Sequence, residues 1–268
     1  MQEAEALRLI ESTFAALDRW QVRGASPHVP ASGSELADDD LDWPPFPVSQ
    51  VATTSLAIAC DHLLAIRFLV EQRRIFVAAE LTLARAALVG ASQAVWVLED
   101  DHPAVRIERA RCVAHTQDKN HRIFLTELAA LADGGHEGTN EVANHTAKRE
   151  NEIAAKRESD GQRSQLNATA MVRAAALATF TDEDMASEAQ IEWRRSSGVA
   201  HGFRWALLGV PDTTLVSDSD DGGLAAFEAA GGLARYVNLY MCACRVLEKG
   251  WQLYDQRSSP AAESAPDA

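Results

Sequence analysis

The segment 77–99 carries Ala84, Ala87, Ala91 and Ala94 on one helical face, with Leu83, Leu88, Val95, Val97 and Leu98 on the others. A helix that is apolar nearly all round has no face to give to water, so it belongs at the centre of a helical assembly. Its alanine row lets a neighbouring helix approach closely. Partners with the matching 3.6-residue period are present. Residues 3–20 hold Ala6, Leu7, Ile10, Phe14, Leu17 and Trp20 in register, and 50–72 hold Leu56, Ala59, Cys60, Leu63, Ile66 and Val70, with Ser49 as the cap. The segment 224–256 has the clearest stripe: Leu233, Val237, Tyr240, Cys244, Leu247, Trp251 and Tyr254. Pro103, after Asp100-Asp101-His102, opens a helix over 103–132 that Asp133-Gly134-Gly135 ends. Helices are also expected over 171–180 and, after the acidic start 181–184, over 185–201. No segment alternates strictly over more than four residues, the pattern a half-buried strand needs. The expectation is an all-α protein, an antiparallel bundle of about seven or eight helices.

Two stretches break the pattern. Pro27, Pro30, Pro44, Pro45 and Pro47 punctuate 22–47, a polar segment with the acidic run Asp38-Asp39-Asp40, which reads as a long loop anchored by Trp43 and Phe46. Residues 141–160, within a polar region 133–168, are helix-prone but polar all round, which predicts a solvated arm. The organisation expected is a helix and Pro-rich acidic loop over 1–46, a bundle over 47–256 and a disordered acidic tail over 257–268.

The 268 residues include 39 acids and 25 bases, a net charge of −14, which excludes a protein that coats nucleic acid without specificity. No apolar run reaches the roughly 18 residues of a membrane span, and Met1-Gln2-Glu3-Ala4-Glu5 lacks the basic and apolar regions of a signal peptide. Cys60, Cys112, Cys242 and Cys244 lie in apolar helical stretches with no C-x-x-C pair, the usage of free buried thiols in a reducing cytoplasm. Phosphate-binding and dinucleotide loops, zinc motifs and nucleophile elbows are absent, so no cofactor or metal is expected. The run Asp218-x-Asp220 puts Gly222 and Ala229 where a calcium loop needs ligands, and reads as acidic capping of the last helix.

One cluster carries chemistry: Glu192-Trp193-Arg194-Arg195-Ser196-Ser197-Gly198-Val199-Ala200-His201-Gly202. On a helix Arg194, Ser197 and His201 stand at i, i+3 and i+7, on one face across two turns. Histidine moves protons near neutral pH, and arginine holds a phosphate or a developing oxyanion. Together they suit phosphodiester cleavage in which the 2′-hydroxyl of RNA attacks its own phosphate, with no metal. The structural alternative for the same residues pairs Arg194 with Glu188 or Glu192, bonds Ser197 back to its own helix, and makes His201 a helix cap. Asp61, His62 and Glu80, on or beside apolar faces, read as a buried polar network. A second basic run, Arg106, Arg109, Arg111, His115, Lys119 and Arg122, lies on the helix 103–132; it reads as a solvated face and as the candidate contact for RNA or an acidic partner.

Arg195-x5-His201, or Arg194-x6-His201, resembles the R-x4–6-H signature of HEPN domains, which are all-helical. The resemblance implies a ribonuclease of toxin–antitoxin or phage-defence type. In that family the motifs of two protomers meet in a homodimer and form a composite, metal-independent site. It implies Arg195 and His201 as catalytic, with Arg194 on the phosphate and Ser196 at the polar position that follows the arginine; Ser197 joins them on the helical stripe. The segments Asp61-His62-Leu63, Leu83-Ala84-Arg85-Ala86-Ala87-Leu88, Glu108-Arg109-Ala110-Arg111 and His201-Gly202 also make the chain similar to bacterial all-helical proteins of no assigned activity. The competing expectation is a non-catalytic interaction or regulatory protein of bacterial or phage origin, with an antitoxin or host protein as partner, using the arm or exposed bundle faces.

Overall fold

The computed structural model describes residues 1–131, 137–208, 213–219, 222 and 225–260. The helices are α1 (Glu3–Glu11), α2 (Phe14–Gly24), α3 (Glu35–Asp40), α4 (Val48–Glu71), α5 (Ala79–Leu98), α6 (Pro103–Leu131), α7 (Glu137–Ser159), α8 (Ala168–Thr179), α9 (Glu183–Ala200) and α10 (Val237–Ser258). A small antiparallel pair, β1 (Thr213–Ser217) and β2 (Ala226–Ala229), is set between α9 and α10 in sequence, so the protein is predominantly all-α, as the periodicity predicts. The helix end at 133–135, Asp220, Asp221 and the tail from 261 lie outside the described residues.

The chain forms two compact units that are not consecutive in sequence, unlike the 1–46, 47–256 and 257–268 division. The first takes Met1–His28, Ala52–Leu98 and Ala168–Gln256; the second takes Val29–Val51, Glu99–Asn167 and the residues from Arg257. In the first unit α5 is central. Ala84, Ala87, Ala91, Ala94, Leu88 and Val95 are fully buried, and α5 packs on α8 and α9. The close approach of α4 to α5 is at Gly90, beside the alanine row: a Cβ there would lie 3.1 Å from the Ser55 carbonyl of α4. Both α4 and α5 are long and apolar enough, by length and composition, to cross a membrane, which corrects the reading that no span reaches that length; α5 owes its composition to burial among its neighbours.

Three local expectations are also corrected. The helix 3–20 is two helices, because Ser12 and Thr13 turn their hydroxyls onto the Leu9 and Ile10 carbonyls, at 2.6 and 2.7 Å, and interrupt the ladder. The helix 224–256 begins only at Val237, since Ala226–Ala229 pairs with β1 and Gly231-Gly232 is poor helix former. The loop 22–47 contains α3, whose N-cap Ser34 accepts from Ala37 N at 3.2 Å. Phe46 is buried, as its anchoring role requires. Ser49 does not cap α4; it is itself held by Asp40, whose carboxylate accepts from Ser49 N at 2.8 Å and Ser49 Oγ at 2.6 Å.

The second unit is organised by arginines. Helix α7 is no solvated arm. It runs antiparallel along α6, with Ile153 fully buried and the pairs Arg122–Glu150, Arg149–Asp118 and Arg157–His115 tying the two together. Arg111 lies between Asp42 and Asp160, at 2.5 Å from each. Burial pushes the Asp42 carboxyl up, but the bonds and charge of Arg111 outweigh it, with Lys156 alongside, and hold it below the ordinary range; Arg111 holds Asp160 low in the same way. These carboxylates therefore stabilise the fold fully above the unfolded pKa of about 4, and the contribution is lost as pH falls through the lower folded value. Asp39 and Asp40, pushed up by burial, act in the opposite sense. Asp42→Asn isolates the first effect: it is expected to flatten the loss of thermal stability below about pH 4. An acid limb identical to that of the wild type would contradict the assignment.

Candidate active site at the end of helix α9

Helix α9 starts at Asp182, whose side chain accepts from Asp184 N at 2.8 Å, as the acidic start predicts. It ends in a Schellman turn: Phe203 N donates to Gly198 O at 2.8 Å and Gly202 N to Val199 O at 3.0 Å, with Gly202 at φ +72°. Only the positive φ requires glycine at 202, since nothing lies within 4 Å of its Cβ direction. The reversal turns the chain back through a 3-10 turn, Arg204–Leu207, that packs on α9. At Gly198 the requirement is space. A Cβ there would lie 2.6 Å from Trp205 Cζ2 and 2.8 Å from Ala206 Cβ.

The candidate residues divide into two groups. Arg194 and His201 are exposed, and Arg194 forms no ion pair or hydrogen bond among the described residues. His201 closes the helix, with its ring centroid 5.8 Å from that of Phe203. Arg195 points the other way: it pairs with Glu192 and donates to the Arg235 carbonyl at 2.8 Å. Ser196 is fully buried and bonded back to the Glu192 carbonyl at 2.7 Å. Arg195 and Ser196 thus hold the helix in place, while Arg194 and His201 face solvent. The Glu192 partnership anticipated for Arg194 belongs to its neighbour.

Ser197 links the stripe to the core. Its hydroxyl donates to the Trp193 carbonyl at 2.8 Å, the expected back-bond, and accepts from Arg85 Nε at 2.7 Å. Both bonds give this hydroxyl a structural role, and the second ties α9 to the half-buried Arg85 of α5. Arg85 was missed in the sequence because its contact spans 112 positions; its only local signal is a single cation in an otherwise apolar helix whose other charge is Glu80.

The basic run of α6 has partners within the chain. Arg106 and Asp39 are both buried and paired at 2.6 Å; Arg109 meets Glu99 at 3.0 Å; Arg111 and Arg122 are paired as described. Lys119 is exposed and outside every ion pair among the described residues. The expected solvated basic face is therefore corrected: its arginines neutralise internal carboxylates. Of the expected polar network, Glu80 is buried and accepts from Phe76 N at 2.9 Å, its carboxyl pushed up by burial; Asp61 is exposed and His62 half-buried. Burial pushes the Cys60, Cys242 and Cys244 thiols up to about 12, which keeps them protonated and unreactive. Among the described residues no group of three or more His, Cys, Asp or Glu side chains is placed to hold a metal ion. A cavity of about 550 Å³ in the first unit is lined mainly by Leu7, Phe14, Val70, Ile75 and Leu233, away from this cluster. Comparison of the chain with protein-family models, curated proteins and solved structures finds no match.

Proposed function

We propose that the C-terminal end of α9 is a metal-independent endoribonuclease site of HEPN-like type, of the toxin or phage-defence kind, acting as a cytoplasmic homodimer. The observation that carries this reading is the exposure of Arg194 and His201 on one helical stripe, with Arg85 bonded to Ser197 between them in that stripe and Arg195 held elsewhere by Glu192 and the Arg235 carbonyl. An arginine outside any ion pair in a chain of net charge −14 is available to an external anion. In the reaction the ribose 2′-oxygen loses its proton and bonds to the adjacent phosphorus, and the bond to the 5′-oxygen breaks. That oxygen takes a proton, leaving a 2′,3′-cyclic phosphate and a 5′-hydroxyl. His201 moves the proton, and Arg194 and Arg85 offset the charge gathering on the phosphoryl oxygens. A homodimer supplies two histidines, one for each proton transfer.

The purified protein is expected to cleave unstructured RNA in the presence of EDTA, with cyclic phosphate on the new 3′ ends. Intact RNA, or cleavage that EDTA abolishes, would refute the reading. A second reading, a non-catalytic interaction protein, is favoured by the exposure of Phe124, Leu128 and Leu131 at the end of α6 and of Val142 early in α7. It predicts a bound protein partner and no RNA cleavage.

A further inference from the structure

Trp205 is held in an unusual way. The Schellman turn brings the chain back along α9, and Gly198 removes the side chain that would separate the two segments. The indole edge therefore lies on bare helix backbone. Yet Trp205 is 57% exposed, so much of this large apolar ring remains in water. A tryptophan fixed against a backbone on one side and open on the other is a platform for a flat partner. Its surroundings define that partner. Arg194 and Arg204 are exposed and enter no ion pair among the described residues, and His201 and the exposed Phe203 adjoin each other in the same turn. Aromatic faces interleaved with unpaired cations match single-stranded nucleic acid, whose bases stack while its phosphates meet arginine. A duplex keeps its bases stacked on one another and has none to offer. A purely apolar partner surface would leave both arginines desolvated without a counter-charge.

We infer that Trp205 is a stacking platform for an unpaired base, with Arg194 and Arg204 on the flanking phosphates, so that the ligand of this face is single-stranded RNA. This rests on the ribonuclease reading of the same helix end and names its substrate. The platform holds the strand and takes no part in the chemistry, so it is tested with a strand that cannot be cleaved. The probe is a fluorescein-labelled, 2′-O-methylated oligo-adenylate, alone and annealed to its complement, followed by fluorescence anisotropy. The wild type is expected to bind the single strand more tightly than the duplex. Trp205→Ala is expected to weaken single-strand binding about tenfold, the scale of one stacked base, while Trp205→Tyr retains most of it. Gly198→Ala, which drives a Cβ into the indole edge, is expected to weaken binding with the aromatic residue still present. Circular dichroism and the thermal midpoint of each variant check that its fold is retained.

Equal affinity for single strand and duplex overturns the inference, as does wild-type affinity in Trp205→Ala. A change of oligomeric state in Trp205→Ala, seen by sedimentation with binding unaltered, also overturns it and assigns the ring to a contact between copies. Binding that follows Trp205 while unmodified RNA stays intact leaves the platform standing and removes the ribonuclease reading. Cleavage of RNA by a Trp205→Ala protein with wild-type affinity does the reverse.

Discussion

His201→Ala is expected to lower the rate of RNA cleavage by about 10²- to 10⁴-fold, the range that a positioned acid or base supplies. Single-turnover decay of a labelled RNA in EDTA measures it. Because His201 is exposed at a helix terminus and not packed into the core, the thermal midpoint is expected to stay close to that of the wild type. Two contrasts sharpen the result. Arg194→Ala removes an exposed cation, so the loss falls on cleavage and leaves stability alone. Arg195→Ala removes the partner of Glu192 and a bond to the Arg235 carbonyl, so its loss falls first on stability. The R-x4–6-H spacing admits either arginine, and only the folded helix separates them. A His201→Ala protein that cleaves at the wild-type rate would sink the assignment; growth arrest on expression, relieved by the same substitution, is the corresponding result in cells.

The largest effect on stability is expected in the second unit, at Arg106. Its Nε donates to Asp39 at 2.6 Å, and its Nη1 reaches the Asp100 and Asp101 carbonyls at 3.0 Å each. Arg106 and Asp39 retain 1% and 2% of their exposure. Arg106→Met leaves the Asp39 carboxylate buried without its counter-charge, which costs about 3–5 kcal/mol. Thermal denaturation at neutral pH reads it. Burial already pushes the Asp39 carboxyl up with Arg106 in place, and losing the arginine pushes it further. The cost of keeping it charged therefore grows as pH rises above the usual carboxylate value, and the penalty shrinks in acid, where Asp39 is neutral. The double variant Arg106→Met/Asp39→Leu is expected to recover part of the loss, since it removes the buried unpaired carboxylate but still leaves the Asp100 and Asp101 carbonyls without their donor. A penalty below about 1 kcal/mol for the single variant, the scale of an exposed pair, would contradict this account.

The parts of the fold legible in the sequence are those where burial repeats along one element. The alanine face of α5 and the stripe of α10 are written in residues three and four apart, and each is buried as its period requires. What the sequence concealed depends on partners far along the chain. Arg106 and Asp39 are 67 positions apart, and Arg111 and Asp42 are 69 apart, so a run of paired arginines looked like a free basic face. The polarity of α7 has in part the same origin: Arg149, Glu150 and Arg157 are matched to α6, while Glu141, Lys148, Glu152 and Glu158 face water. Helix α3 was hidden by the prolines around it, although Ser34 and the acids that follow carry a capping signal. The candidate site shows the same division. The stripe of Arg194, Ser197 and His201 follows from helical spacing alone, whereas Arg85 and Trp205 reach it through tertiary contacts for which a linear pattern has no sign.

The hydrogen bond between Thr13 and Tyr240, at 2.6 Å, joins residues 227 positions apart. Segments far apart along the chain must therefore meet before this part of the core can close, a contact of high loop-closure cost. Until α10 packs, the apolar faces of α1 and α2 lack part of their cover, an exposure of the kind that favours aggregation. Removing α10 from this unit is therefore expected to uncover the N-terminal helices that it packs on, far from it in sequence.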